Sequence, residues 1–195
     1  PTDDKALRIL NAALQEFLAT GFKDAKVEEI ARRAGVGKGT VYQYYESKEH
    51  LFEAMIDDGM DKYVSLIGDA IAANEPFKCG LMHIVKAHLQ FVLEHQPLAY
   101  LFYANDIHLS ESVKIAFAKS QQKIIALLGG WMLHLTEIGE IPPHTDYRLL
   151  LSIIFGTLNQ YYAPHIPGYE STVSPEVFSN QLYEILAYFY KDKEC

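Results

Sequence analysis

The chain has 195 residues, 49% of them apolar, and carries 17 Lys and Arg against 25 Asp and Glu, a formal charge of −8. That length suffices for one or two domains with an adequate core, the apolar content excludes disorder, and two cysteines (Cys79 and Cys195) exclude a disulfide framework or a CxxC metal site. The longest apolar run, Ile124 to Leu133, is too short to cross a bilayer, and Pro-Thr-Asp-Asp-Lys at the start lacks the order of a secretion signal; a cytoplasmic protein with no membrane partner is expected.

Helical periodicity runs through the whole sequence. Ala6, Leu7, Ile9, Leu10, Ala13, Leu14, Phe17 and Leu18 form one apolar stripe, which Gly21 should end as a left-handed cap with Phe22 folding back. Val27, Ile30, Ala31 and Ala34 predict a short second helix, and Gly35-Val36-Gly37 a tight turn. A third helix is expected from Lys38 to Tyr44, with Val41 and Tyr45 inward, and Ser47 should cap a fourth that reaches about Ala73. A fifth begins at Phe77, and Pro97 opens a short segment to Tyr103. Ser110-Glu111 opens a long helix ending at Gly139. Another spans about Thr145 to Ala163, and Ser174-Pro175 starts the last, to about Lys191. No strand pair stands out. The expected fold is all-α with about nine helices.

The net charge is unevenly spread. Residues 1–50 hold eight basic and eight acidic groups, whereas residues 51–195 hold nine and seventeen. Residues 37–45, Gly-Lys-Gly-Thr-Val-Tyr-Gln-Tyr-Tyr, contain no acid. A neutral first part tolerates a polyanion that an acidic second part does not seek. The division expected is therefore 1–50 and 51–195.

Residues 27–45 meet the requirements of a helix-turn-helix. Ala31 is small where two helices nearly touch, Gly35 tolerates positive φ in the turn, and Val41 anchors the second helix. Lys38, Thr40, Tyr42, Gln43 and Tyr44 then point outward, and none repels a phosphate. An ordinary helical hairpin would carry Glu and Lys on that face.

These residues carry a resemblance. Ile9-Leu10-Asn11-Ala12-Ala13, Phe17 and Gly21-Phe22, then Ile30 through Tyr45, then Ser47-Lys48-Glu49-His50-Leu51 resemble the TetR family of bacterial transcription regulators. The likeness covers about residues 5–56. It implies an N-terminal three-helix DNA-binding domain in which Lys38, Gly39, Thr40, Tyr42, Gln43 and Tyr44 meet the major groove and its phosphates. It also implies that Lys48 holds a phosphate at a helix N-terminus. Three residues depart from the pattern. Lys26 replaces a capping hydroxyl and could reach a phosphate instead, Gly37 replaces a Ser, and His50 stands where an acid usually completes a capping box with Ser47. A plain surface role is the simpler reading of His50.

Beyond residue 56 the likeness fades. Residues 51–195 hold nineteen of the aromatic residues against five in the first fifty. His88, Phe91, Tyr100, Phe102, Tyr103, Trp131, Phe155, Asn159 and Tyr162 are candidate effector-pocket residues, with a buried Asn159 and His88 as the sparse polar groups. Aromatics at helical spacing are more often core than ligand box, so solid packing is the competing reading. Gly129-Gly130 inside the long helix costs roughly 2 kcal/mol relative to alanines, and a close crossing, a kink or a ligand must offset it. His83, His88, His95, His108 and His134 form no compact ligand set, so no metal or cofactor is expected. Leu150, Ile153, Ile154, Phe178, Leu182, Ile185 and Phe189 on the last two helices are candidates for a homodimer interface, which the resemblance also implies.

The reading reached is a ligand-responsive regulator, a repressor, that binds double-stranded operator DNA as a homodimer and is released by a small apolar or aromatic effector. No catalytic constellation points to an enzyme. Two alternatives stand: a helical small-molecule-binding protein or enzyme with a vestigial helix-turn-helix, and a DNA-binding protein without an effector.

Overall fold

A computed structural model describes residues 4–71, 76–95, 111–161 and 174–190. All regular elements among them are helices, eight in number: α1 Asp4–Asp24, α2 Val27–Ala34, α3 Lys38–Tyr44, α4 Lys48–Ile71, α5 Phe77–Glu94, α6 Glu111–Glu137, α7 Tyr147–Tyr161 and α8 Pro175–Tyr190. The all-α expectation holds. The ninth segment expected, Pro97–Tyr103, lies outside the described residues. The described residues fall into two compact units, one drawn from Pro1–Lys62 and Pro97–Lys123, the other from Tyr63–Gln96 and Ile124–Cys195. α4 and α6 each contribute to both.

In the first unit, α1 buries Ile9, Leu10, Ala13 and Phe17 against Ile30, Ala31 and Val41, and the start of α4 closes the cluster with Leu51, Phe52 and Ile56. Gly21 interrupts α1, as the sequence predicts, although its ψ is extended rather than left-handed. Its φ of 76° with ψ of 162° breaks the helical path, and one further turn follows to Asp24. The detour drives Phe22 inward, where its ring stacks 5.6 Å from Phe17 and meets the edge of Phe52 at 5.2 Å. Such aromatic pairs contribute about 0.5–1.5 kcal/mol each beyond area burial. At the α6 end of this unit, the Lys123 ammonium bridges Asp61 at 2.7 Å and Asp57 at 3.3 Å on successive turns of α4. Those carboxylates raise the Lys123 pKa, the hydrogen bond it donates to Asp61 most of all.

In the second unit, Leu81, Ile84 and Val85 of α5 pack with Met132 and Leu135 of α6, Ile154 and Leu158 of α7, and Phe178, Leu182 and Leu186 of α8. The Phe77 N–H at the start of α5 donates to Glu140 at 3.2 Å, a carboxylate placed where the helix dipole favours it. α6 runs unbroken through Gly129-Gly130, and neither glycine supports a tight crossing. A Cβ on Gly129 would find only Tyr147 at 3.9 Å, and one on Gly130 would find nothing within 4 Å. The close approach is elsewhere: a Cβ on Gly80 would stand 2.5 Å from Cζ2 of the Trp131 ring.

This contrast is measurable. Gly80→Ala should destabilise the fold by about 1 kcal/mol net, because overpacking a rigid indole outweighs the helix-propensity gain. Gly130→Ala should instead stabilise by up to about 1 kcal/mol. Urea melts of the two variants check the opposite signs.

Candidate nucleic-acid interface

The α2–α3 turn follows from one left-handed residue. Gly35 sits at φ 67°, ψ 37°, its N–H donates to the Arg32 carbonyl, and the Val36 N–H donates to Ala31 at 3.0 Å. That paired arrangement is a Schellman stop, which a glycine makes without steric cost. Arg8 of α1 then caps the last turn of α2, donating to the Ala34 carbonyl at 3.1 Å while paired with Asp4. Arg33 reaches the buried carboxylate of Glu16 at 3.4 Å, tying α2 to α1 a second time. After Gly37, the backbone bonds of Thr40 and Val41 to the Gly37 carbonyl start α3, and Val41 is buried beneath it.

With Val41 inward, α3 turns Lys38, Gly39, Tyr42 and Gln43 to solvent and leaves Thr40 half-buried. Tyr42 is 43% exposed, unusual for a large aromatic with no packing role. Tyr44 differs from expectation: it is half-buried against the first unit's core, its ring 6.2 Å from Tyr45. Tyr45 is buried, and that burial, with Asp58 and Tyr44 nearby, raises its hydroxyl's pKa. Lys26 is exposed at the N-cap of α2, whose first turn has no side-chain cap.

Lys48 is more than a surface cation. Its ammonium donates to the carbonyls of Lys23 at 2.9 Å and Ala25 at 3.2 Å, and lies 4.9 Å from the Phe22 ring centroid. It therefore stitches α4 to the end of α1. Ser47 caps α4 as expected, its Oγ accepting from the His50 N–H at 3.0 Å. The His50 Nδ1 in turn accepts from the Glu46 N–H at 3.2 Å. That is one residue before the Ser47 N–H that an acid in a capping box would reach, so the box is only half made, and His50 is exposed, as the plain surface reading has it.

Two features escaped the sequence reading. Glu28, ten residues before Lys38, forms an ion pair with it across the α2–α3 turn. Lys38 holds the Glu28 carboxyl below its ordinary pKa, and Glu28 raises that of Lys38. An acid-free stretch of chain is thus not an acid-free surface. The signal was the pairing of first turns that any helix-turn-helix creates. Arg8 was the other, since its partner is a backbone carbonyl with no sequence signature.

The effector candidates divide. His88 is buried in α5 with Nδ1 2.8 Å from the Tyr63 hydroxyl, and Phe91 and Phe155 lie beside this pair. Burial pushes the His88 pKa down to about 4. Trp131 instead packs on Gly80 and Phe77, about two turns of α5 away. Asn159 is half-buried rather than buried. Tyr100, Phe102, Tyr103 and Tyr162 lie outside the described residues. Of the proposed interface residues, Leu150, Ile154, Phe178 and Leu182 are buried in their own unit's core, so they are not available to a second copy. Ile153 and Ile185 are exposed, as are Leu149 and Val177, and the Phe189 side chain lies outside the described residues. Apolar residues occur nearly all round α7, so periodicity alone did not separate its core-facing positions from its exposed ones.

A short helix with exposed polar and aromatic groups, fixed through a glycine turn on a three-helix core, defines a helix-turn-helix DNA-binding protein. Residues 9–55 match the family described as bacterial regulatory proteins, tetR family. The fatty acid metabolism regulator protein of Bacillus subtilis is 26% identical over 190 residues, covering 94% of this chain and 89% of that protein. The structure of a fatty acid degradation regulator from Bacillus halodurans superposes with a TM-score of 0.80 at 22% identity, covering 95% and 96% of the two chains. That of the Bacillus subtilis regulator in complex with stearoyl-CoA gives 0.78 at 22% identity, covering 92% and 96%. Residues 9–55 thus form a DNA-binding domain of the tetR type, and the chain is a DNA-binding transcription regulator.

Two predictions follow from the side chains above. His88 is neutral in the native state down to about pH 4, while an unfolded histidine titrates near 6.5. Between those values the unfolded chain binds a proton that the native chain does not, so stability falls as pH falls. Denaturation at pH 7 and pH 5 should show the wild type losing roughly 2 kcal/mol more than His88→Gln; parallel losses would contradict the assignment. Lys48→Met should lower stability by about 1–2 kcal/mol through its two lost carbonyl bonds, which thermal melts without DNA can read.

Proposed function

We propose that the chain is an effector-controlled repressor, acting in the cytoplasm as a homodimer on a two-fold operator. The single observation that carries the DNA reading is the exposed face of α3 (Lys38, Gly39, Thr40, Tyr42 and Gln43) seated on a fixed core. Lys26 and the uncapped start of α2 extend that face toward a phosphate. Lys48 adds positive charge at the start of α4 while bracing the turn behind it. Tyr44 contributes through its exposed part and otherwise braces α3 from below.

Leu149, Ile153 and Gly156 of α7, with Val177 and Ile185 of α8, supply an exposed apolar strip that suits a second copy. A two-fold pair would set two α3 helices on successive major-groove faces. The effector we assign is a long-chain acyl group. Supporting this are a relative named for fatty acid metabolism, a structural neighbour holding stearoyl-CoA, and the second unit's apolar interior with the His88–Tyr63 pair as its polar point. Binding would favour a form of the dimer with lower DNA affinity, with α4, common to both units, as the connecting element.

Anisotropy with a duplex selected from a random pool should show Tyr42→Ala and Gln43→Ala weakening binding by about five- to a hundredfold with unchanged helicity. Unchanged affinity in both would remove α3 from the interface. Stearoyl-CoA should raise the melting temperature and release the duplex, while CoA alone does neither; no response to stearoyl-CoA would contradict the acyl assignment. Light scattering of Ile153→Glu/Ile185→Glu should report monomer where the wild type reports dimer.

A further inference from the structure

The ion pair between Glu28 and Lys38 sits on the surface that the DNA reading assigns to phosphate contact. Lys38 is the first residue of α3, and its ammonium also lies 5.8 Å from the ring centroid of Tyr42, the most exposed aromatic on that helix. Glu28 is in the first turn of α2. Both side chains are open to water, 48% exposed for Lys38 and 60% for Glu28, so neither is needed to fill the core. A lysine ammonium is a compact point charge, and a carboxylate and a phosphate compete for the same donors.

We propose that Glu28 is an affinity-setting residue: its carboxylate occupies the Lys38 ammonium in the free protein, and a DNA phosphate must displace it. The proposal rests on the DNA-binding reading of α3 and deepens it. Exposed ion pairs are weak, so the exchange is easy and the effect is a brake rather than a block. Once displaced, Glu28 still stands within a Debye length of about 8 Å from the phosphate that replaced it and continues to oppose it. Because phosphates carry no sequence information, the brake acts equally on every duplex. It limits how strongly the regulator is held by non-specific DNA, whose phosphates greatly outnumber those of any operator. Salt weakens the internal pair along with the phosphate contact, so the brake fades as salt rises.

The test is fluorescence anisotropy of the full chain with two probes, a random-sequence 30-bp duplex and a duplex selected in vitro. Glu28→Gln should tighten both by the same factor, about two- to fivefold near 50 mM salt, and the gain should shrink toward unity at several hundred millimolar. In a Lys38→Met background, most of the Glu28→Gln gain should vanish. Circular dichroism melts check that each variant folds. Equal affinities for wild type and Glu28→Gln would overturn the proposal. So would a loss on the selected duplex, which would mean that Glu28 positions α3 or touches a base. A gain undiminished in Lys38→Met would also overturn it, showing general repulsion rather than occupation of Lys38. Failure of the wild type to bind either duplex at low salt is a different result: it would strike the DNA-binding reading itself.

Discussion

The DNA-binding half of this protein depends on the left-handed turn at Gly35. That residue ends α2 with two backbone bonds and sends the chain into α3 at an angle that puts Val41 into the core. Any other residue there adopts φ of 67° at a cost, and a Cβ would also meet the Arg8 guanidinium at 3.6 Å. Once Val41 is fixed, helical geometry leaves Lys38, Tyr42 and Gln43 no choice but the outside. Three charged side chains then hold the frame from behind: Arg8 on the end of α2, Arg33 on Glu16, and Lys48 on the end of α1. The exposed face of α3 is thus supported by side chains that lie off it.

Charge on this surface is regulated by pairing more than by composition. The chain is acidic, yet its first fifty residues balance. Within them Lys38 is held by Glu28, Arg32 by Glu29 and Arg33 by Glu16, and Lys48 is spent on backbone carbonyls. On the proposed DNA-binding face, Lys38 would have to exchange Glu28 for a phosphate. That exchange would favour modest affinity for every duplex, whatever its sequence.

Much of the fold was legible in the sequence because its signals are local. Apolar spacing located the helices, Gly35 and Ser47 marked a stop and a start, and the small, aromatic and polar residues of 30–51 carried the family resemblance. Where inference failed, the deciding contact was between residues distant in the chain. Gly129-Gly130 drew attention as a crossing point, whereas the tight approach is Gly80 against Trp131. On α7 and α8 periodicity identified apolar residues without saying which face meets the core, so Leu150, Ile154, Phe178 and Leu182 proved to be interior. The effector candidates were the least legible, since a ligand box and a packed core use the same side chains; among the described residues, the His88–Tyr63 hydrogen bond marks one cluster out.

The proposed DNA-contacting surface is α3, fixed by the Gly35 turn. Hydrogen-exchange mass spectrometry of the full chain, with and without a selected duplex, tests it most directly. Protection on adding DNA should concentrate in peptides covering residues 26–48, with the buried core of residues 9–17 unchanged. Protection confined to residues outside 26–48, or none at a duplex concentration that saturates binding, would contradict it.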